Sequence, residues 1–170
     1  AVFGNESMRL ISINAASFDA HKHRALSVVS DAKVGLEDLS EALGDWVGSP
    51  SWLETARRHY AEWNETFDQH SGPTNEVPPS YGQVVGAINR ICDSTDLALT
   101  AAGGLPGELC KNWKTRSIGT FDCEFGFSCM GYEIAGGWGA KMANPSRDVI
   151  VFVGDGSYLM LNSDIYSTVL

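Results

Sequence analysis

The stretch Val149–Val153 (VIVFV) is an unbroken apolar run, followed at once by Gly154-Asp155-Gly156-Ser157. A strand with one wet face alternates polar and apolar residues. A strand covered on both faces does not, and such strands belong to parallel sheets packed between helices. The run therefore predicts a buried parallel strand, and the tetrapeptide predicts the turn from its carboxyl end towards a helix starting near Tyr158. Ligands of open α/β sheets bind beyond the carboxyl ends of strands. Glycines there let a backbone approach a phosphate closely, and amide groups at a helix start attract its charge. An aspartate in the same turn would repel phosphate unless a cation stood between them. Mg²⁺ suits that place, because it joins carboxylate oxygens to phosphate oxygens. A plain strand-to-helix turn with Asp155 as the cap accounts for the same four residues, and on the tetrapeptide alone it is the simpler reading.

The rest of the chain supplies an α/β rhythm. Tyr81–Cys92 predicts a helix with Val84, Val85, Ile88 and Ile91 on one face. Asp96–Ala102 (DLALTAA) predicts a buried strand that ends in the turn Gly103–Gly107, and Phe127–Ala143 contains a helix rich in small residues. Strand and helix in alternation predict an α/β fold: a parallel sheet with helices on both faces. Earlier in the chain, Arg9–Ile13 reads as a strand, Asn14–Phe18 as a loop and Ala25–Val29 as a second apolar run. A helix over Val34–Leu43 follows, with Asp31 near its N-cap and Gly44 as its stop. Ser51–Phe67 reads as an amphipathic helix whose Trp52, Ala56, Tyr60 and Trp63 recur about once per turn, a stripe for packing against a neighbouring domain rather than a binding platform. The segment His70–Ser80 (HSGPTNEVPPS) is the best linker. The expected organisation is thus residues 1–48, a helix and linker over 49–80, and a further domain over 81–170.

Charge narrows the classes of partner. The formal net charge of −9 argues against nucleic acid and anionic membrane. It does not argue against an anionic cofactor, which backbone amides and a metal can neutralise locally. No apolar run reaches membrane-spanning length, and no signal peptide opens the sequence. Cys92, Cys110, Cys123 and Cys129 form no C-x-x-C pair; they read as reduced thiols of a cytoplasmic protein. Asp122, Glu124 and Glu133 are candidates for substrate contacts, but surface or cap roles are the simpler reading. His21 and His23 read as structural, and nothing marks Cys129 as a nucleophile.

Three glycine-bearing loops, Gly103–Gly107, Gly126–Tyr132 (GFSCMGY) and Gly154–Ser157, occur in this order. In that order they resemble the diphosphate-binding domain of thiamine-diphosphate-dependent enzymes. Longer strings resemble the branch of that superfamily that hydrolyses a C–C bond of a cyclic dione in myo-inositol breakdown: AAGGLPGELCKNWKTR (Ala101–Arg116), SCMGYEIAGGWGAKMA (Ser128–Ala143) and VGDGSYLMLNSDI (Val153–Ile165). ISINAASFDAHKH (Ile11–His23) and SDAKVGLEDLSEAL (Ser30–Leu43) resemble the end of its central domain. The resemblance is weakest over Gly48–Ser80, and the metal turn is common to the whole superfamily.

The resemblance implies thiamine diphosphate and Mg²⁺ as cofactors, on a thiamine-diphosphate-binding fold that is incomplete in this chain. It implies that Asp155 binds the metal and that Gly154, Gly156 and Ser157 lie at the diphosphate. Gly104 and Leu105 would lie in the other phosphate-side loop. The backbone of Ser128 and Met130 would meet the aminopyrimidine ring, and the Met130 side chain would prop the cofactor in its bent shape. Taken alone, Met130 reads as an ordinary core methionine. The family's second metal ligand, an asparagine further along, has no counterpart before Leu170, since Asn162 stands too close to Asp155. The glutamate that activates the cofactor belongs to a separate domain that nothing here matches, so no catalytic acid or base is assigned. The expected function is a C–C hydrolase of a small cyclic polyol-derived dione. It would be a homo-oligomer with its site at the subunit interface, and the chain alone would be inactive. The alternatives are an acetolactate-synthase-like carboligase or decarboxylase, or a cofactor-binding module without activity.

Overall fold

The computed structural model describes residues 4–169 and divides into two compact units, Ala1–Thr55 and Ala56–Leu170. In the first, strand β1 (Ile11–Asn14) pairs in parallel with β2 (Leu26–Val29), register Ile11 to Leu26. The expected loop after Asn14 instead winds into a short helix, α1 (Ser17–Ala20), and Asn14 Oδ1 accepts from Ala16 N at 2.9 Å on the way in. A 3-10 turn (Lys22–Arg24) leads into β2. Helix α2 (Ala32–Leu43) begins where its cap predicts: Asp31 Oδ1 accepts from Lys33 N at 2.9 Å and Val34 N at 3.2 Å. It ends at Gly44, whose φ of 52° is left-handed. A side-chain cap of this kind contributes about 1 kcal/mol. Asp31→Ala is therefore expected to destabilise α2 by about that much, seen as faster amide exchange in the helix.

The second unit takes up helix α3 (Pro50–Ser71), which starts in the first, and adds α4 (Tyr81–Ile91), β3 (Leu97–Thr100), α5 (Gly104–Asn112) and β4 (Phe121–Cys123). After these come α6 (Tyr132–Ala143), β5 (Val149–Val151), α7 (Asp155–Leu161) and α8 (Asp164–Ser167). The strands form a parallel sheet in the order β4-β3-β5, with Ala98 opposite Phe121 on one side and Ile150 on the other. The fold is the expected α/β class, parallel strands flanked by helices. Every residue of β3 is buried, as a central strand requires. Val85, Ala98, Leu109 and Phe152 make the buried core, and Trp113 meets Phe152 edge-on at 5.6 Å. Thr100 Oγ1 donates to Phe152 O at 2.9 Å, so the one polar side chain of β3 is satisfied inside.

Three sequence expectations change. The buried face of α4 is Gly82, Val85, Gly86 and Asn89, whereas Ile91 is 83% exposed. The cause is Gly86: a Cβ there would lie 2.4 Å from Ser71 O, so the helix turns its glycine side to the end of α3. The turn expected over Gly103–Gly107 is already helix from Gly104. Strand β4 was not anticipated at all. Among the described residues, no helix is long and apolar enough to cross a membrane.

Candidate functional site

Because the three strands are parallel, their carboxyl ends lie along one edge of the sheet. The chain leaves central β3 to one side for β4 and returns across it to β5. That reversal is where an open sheet leaves a crevice. The three loops leaving this edge are the three glycine-bearing loops singled out in the sequence.

The first loop turns at Gly103, whose φ of 117° suits glycine, and enters α5 at Gly104. No atom lies within 4 Å of where a Cβ on Gly104 would stand, so its backbone is open to a ligand. The Leu105 side chain packs against the core, leaving only its backbone to the loop.

In the third loop, Asp155 is exposed at the first position of α7, and its Oδ1 accepts from Gly156 N at 2.9 Å. A Cβ on Gly154 would stand in open space. Ser157 is 2% exposed, yet its Oγ finds no partner. A buried hydroxyl without a hydrogen bond is costly, so the Ser157 Oγ calls for a partner such as a water, an ion or a ligand.

The second loop comes up against the third. A Cβ on Gly156 would lie 3.2 Å from Met130 Cε, so the methionine methyl sits over the Gly-Asp-Gly turn. A Cβ on Gly131 would lie 3.1 Å from Leu161 Cβ and 3.8 Å from Ser157 O. Met130 is 44% exposed, which is not the position of an ordinary core methionine. Ser128 (φ 51°) and Gly131 (φ 96°) both adopt the left-handed region, so the loop turns sharply twice. The structure thus brings Met130, Gly156 and Ser157 together and places Gly104 on the same sheet edge.

This edge suits a polyphosphate: open glycine backbone, an unmet buried hydroxyl and one carboxylate. Among the described residues no group of three or more His, Cys, Asp or Glu side chains could hold a metal ion. A cation at Asp155 would therefore draw its remaining oxygens from the ligand and water, as Mg²⁺ commonly does.

The three carboxylates that the sequence offered as surface or cap residues gather around the second loop, and two of them do cap its amides. Asp122 on β4 and Glu124, the residue just past its carboxyl end, both reach the loop. Tyr132 Oη donates to Asp122 Oδ2 at 2.8 Å, and that bond pushes the tyrosine pKa up. Glu124 Oε1 accepts from Phe127 N at 2.8 Å and Oε2 from Cys129 N at 2.7 Å. These amides hold the Glu124 carboxyl below its ordinary range. Glu133 is fully buried rather than at the surface; its Oε2 accepts from Gly131 N at 2.9 Å while Oε1 has no partner. An acidic residue in the first turn of a Gly/Ala-rich helix, just after a glycine, was the available signal. All four cysteines are free, and burial pushes the Cys123 thiol up to about 11.

Residues 101–169 match the family described as thiamine pyrophosphate enzyme, C-terminal TPP binding domain. The chain is 37% identical over 183 residues to the 3D-(3,5/4)-trihydroxycyclohexane-1,2-dione hydrolase of Geobacillus thermodenitrificans (strain NG80-2), covering 95% of this chain and 29% of that protein. It is 35% identical over 191 residues to the protein of the same name from Bacillus thuringiensis (strain Al Hakam), covering 98% of this chain and 30% of that one. A Bacillus anthracis protein of that name is 34% identical over the same shares. The chain spans about three-tenths of the length of the curated relatives it matches.

Proposed function

We propose, from the match of residues 101–169 to the thiamine pyrophosphate enzymes, that the sheet edge of this chain binds thiamine diphosphate with Mg²⁺ for the hydrolysis of a C–C bond in a small cyclic polyol-derived dione. The names of its relatives support that reaction and substrate over the carboligase alternative. The observation that carries the binding reading is the meeting of the second and third loops: the Met130 methyl over Gly156, beside the buried, unpartnered Ser157 Oγ. Cytoplasmic location, a homo-oligomer and a site shared between subunits belong to the same proposal.

Bound there, thiamine diphosphate supplies the electron sink for breaking a bond next to a carbonyl. The work of this chain is to bind and orient it. The exposed Asp155 carboxylate holds the metal. The backbone of Gly154, Gly156, Ser157 and Gly104 would receive the diphosphate, and the backbone groups of Ser128 and Met130 would meet the ring. Met130 acts through shape, so Met130→Ala is expected to lower turnover about tenfold while changing cofactor affinity much less. Equal turnover in the two proteins would return Met130 to packing alone.

The reading is tested on the full-length protein by calorimetric titration of thiamine diphosphate with and without Mg²⁺, followed by an assay of trihydroxycyclohexanedione hydrolysis. Binding that needs Mg²⁺ and turnover of the dione are expected. Absence of binding would overturn the site. Binding with turnover only of 2-oxo acids would move the function to the carboligase class.

A further inference from the structure

We propose that Glu124 and Glu133 are positioning residues of this site, their carboxylates holding the amides of Phe127, Cys129 and Gly131 so that the loop carrying Ser128 and Met130 is fixed before any ligand arrives. The inference rests on the cofactor reading above and adds to it two residues that touch neither metal nor diphosphate.

The geometry is regular. Alternate amides of the loop, at 127, 129 and 131, go to carboxylate oxygens at 2.8, 2.7 and 2.9 Å. Glu124 reaches the loop from just past the end of β4 and Glu133 from the first turn of α6, so the loop is gripped from both of its ends. Such a grip is needed. Ser128 sits at φ 51°, a conformation disfavoured for residues with a Cβ. Strained backbone of this kind persists only where its surroundings over-determine it, and hydrogen bonds to a charged acceptor are the stronger kind. Asp122 adds a fixed point by tying Tyr132, at the head of α6, back to β4. Preorganised geometry of this sort is how a site avoids ordering itself on binding.

The two glutamates do not use their oxygens alike, which gives the test its form. Glu124 receives one amide on each oxygen. Glutamine there would set an NH₂ group against an N–H and lose one bond. Glu133 uses Oε2, and no donor faces its Oε1, so glutamine at 133 keeps the bond to Gly131.

The full-length protein and its Glu124→Gln, Glu133→Ala and Glu133→Gln variants would be compared by amide exchange without cofactor, then by calorimetric titration of thiamine diphosphate with Mg²⁺. Exchange in the peptide spanning 126–132 is expected to quicken about tenfold in Glu124→Gln and Glu133→Ala, the scale of one lost hydrogen bond. In Glu133→Gln it should stay at the wild-type rate, and the β3 peptide should be unchanged in all, reporting an intact sheet. Affinity should fall about tenfold in the two opened variants only. Unchanged exchange in Glu124→Gln would overturn the clamp. Opened loops with wild-type affinity would overturn the positioning role. A wild-type protein that bound no thiamine diphosphate would overturn the cofactor reading itself, and the exchange measured without cofactor tells that failure apart from failure of the clamp.

Discussion

Asp155→Ala is expected to weaken binding of thiamine diphosphate, titrated in the presence of Mg²⁺, by about a hundredfold, the upper end of what losing a group around a bound metal costs. The fold should hardly notice. Asp155 is exposed, and its visible contribution is Oδ1 accepting from Gly156 N at 2.9 Å in the first turn of α7. A carboxylate in that place is worth about 0.5 kcal/mol through the helix dipole. Asp155→Asn separates the two roles. An amide oxygen still accepts from Gly156 N, so the turn is kept, but the negative charge facing the metal is gone. The metal reading expects affinity to fall in both variants while stability falls by no more than about 0.5 kcal/mol in either, slightly less in the asparagine one, which keeps the bond to Gly156 N. Full affinity in Asp155→Asn would leave Asp155 as a plain cap, the simpler reading of the tetrapeptide.

What the sequence could and could not show follows from the range of the interactions involved. Leu97–Thr100 was legible because a strand buried on both faces is almost wholly apolar; Val149–Val151 was legible as a strand but not in its burial, since it lies half-buried at the outer side of the β4-β3-β5 sheet rather than covered on both faces. The start of α2 was legible because Asp31 reaches only two and three residues along the chain. Strand β4 was not: Phe121-Asp122-Cys123 is too short to show a period, and it is held by pairing with a strand far away in sequence. In α4 the apolar face was half right: Val85 and Ile88 meet the core, but a glycine contact with Ser71, invisible in hydropathy, turned Val84 and Ile91 outwards. At the site, the three glycine loops could be read and ordered, but not the meeting of Met130 with Gly156. Glu133 was read as a surface or cap residue; it does cap the Gly131 amide, but its full burial was not legible, because carboxylates are rarely fully buried. Its burial depends on the left-handed turn at Gly131, whose amide it takes.

The close approach of α6 to β5 sets the second large effect. A Cβ on Gly137 would lie 2.4 Å from Val151 Cγ2, far inside contact distance. Gly137→Val should therefore lower stability by about 3 kcal/mol, the upper range for overpacking, in guanidinium unfolding. Gly137→Ala carries the diagnosis. Alanine favours a helix over glycine by about 1 kcal/mol, which opposes the clash, so a smaller net loss is expected in the wild-type background. In Val151→Ala the clashing methyl is absent, and the same Gly137→Ala change should become stabilising by up to about 1 kcal/mol. A sign change of this kind is a direct coupling between the two positions. If Gly137→Ala stabilised the protein in both backgrounds, the helix would not be seated on Val151 as described. The seating also reaches the site. Helix α6 begins at Tyr132, next to the turn where Gly131 lies against Leu161 and beside Met130. A helix pushed off β5 carries that loop with it, and displacements of about 1 Å at a binding site cost heavily. Gly137→Val is thus expected to lose cofactor affinity along with stability, although its own side chain never meets the ligand.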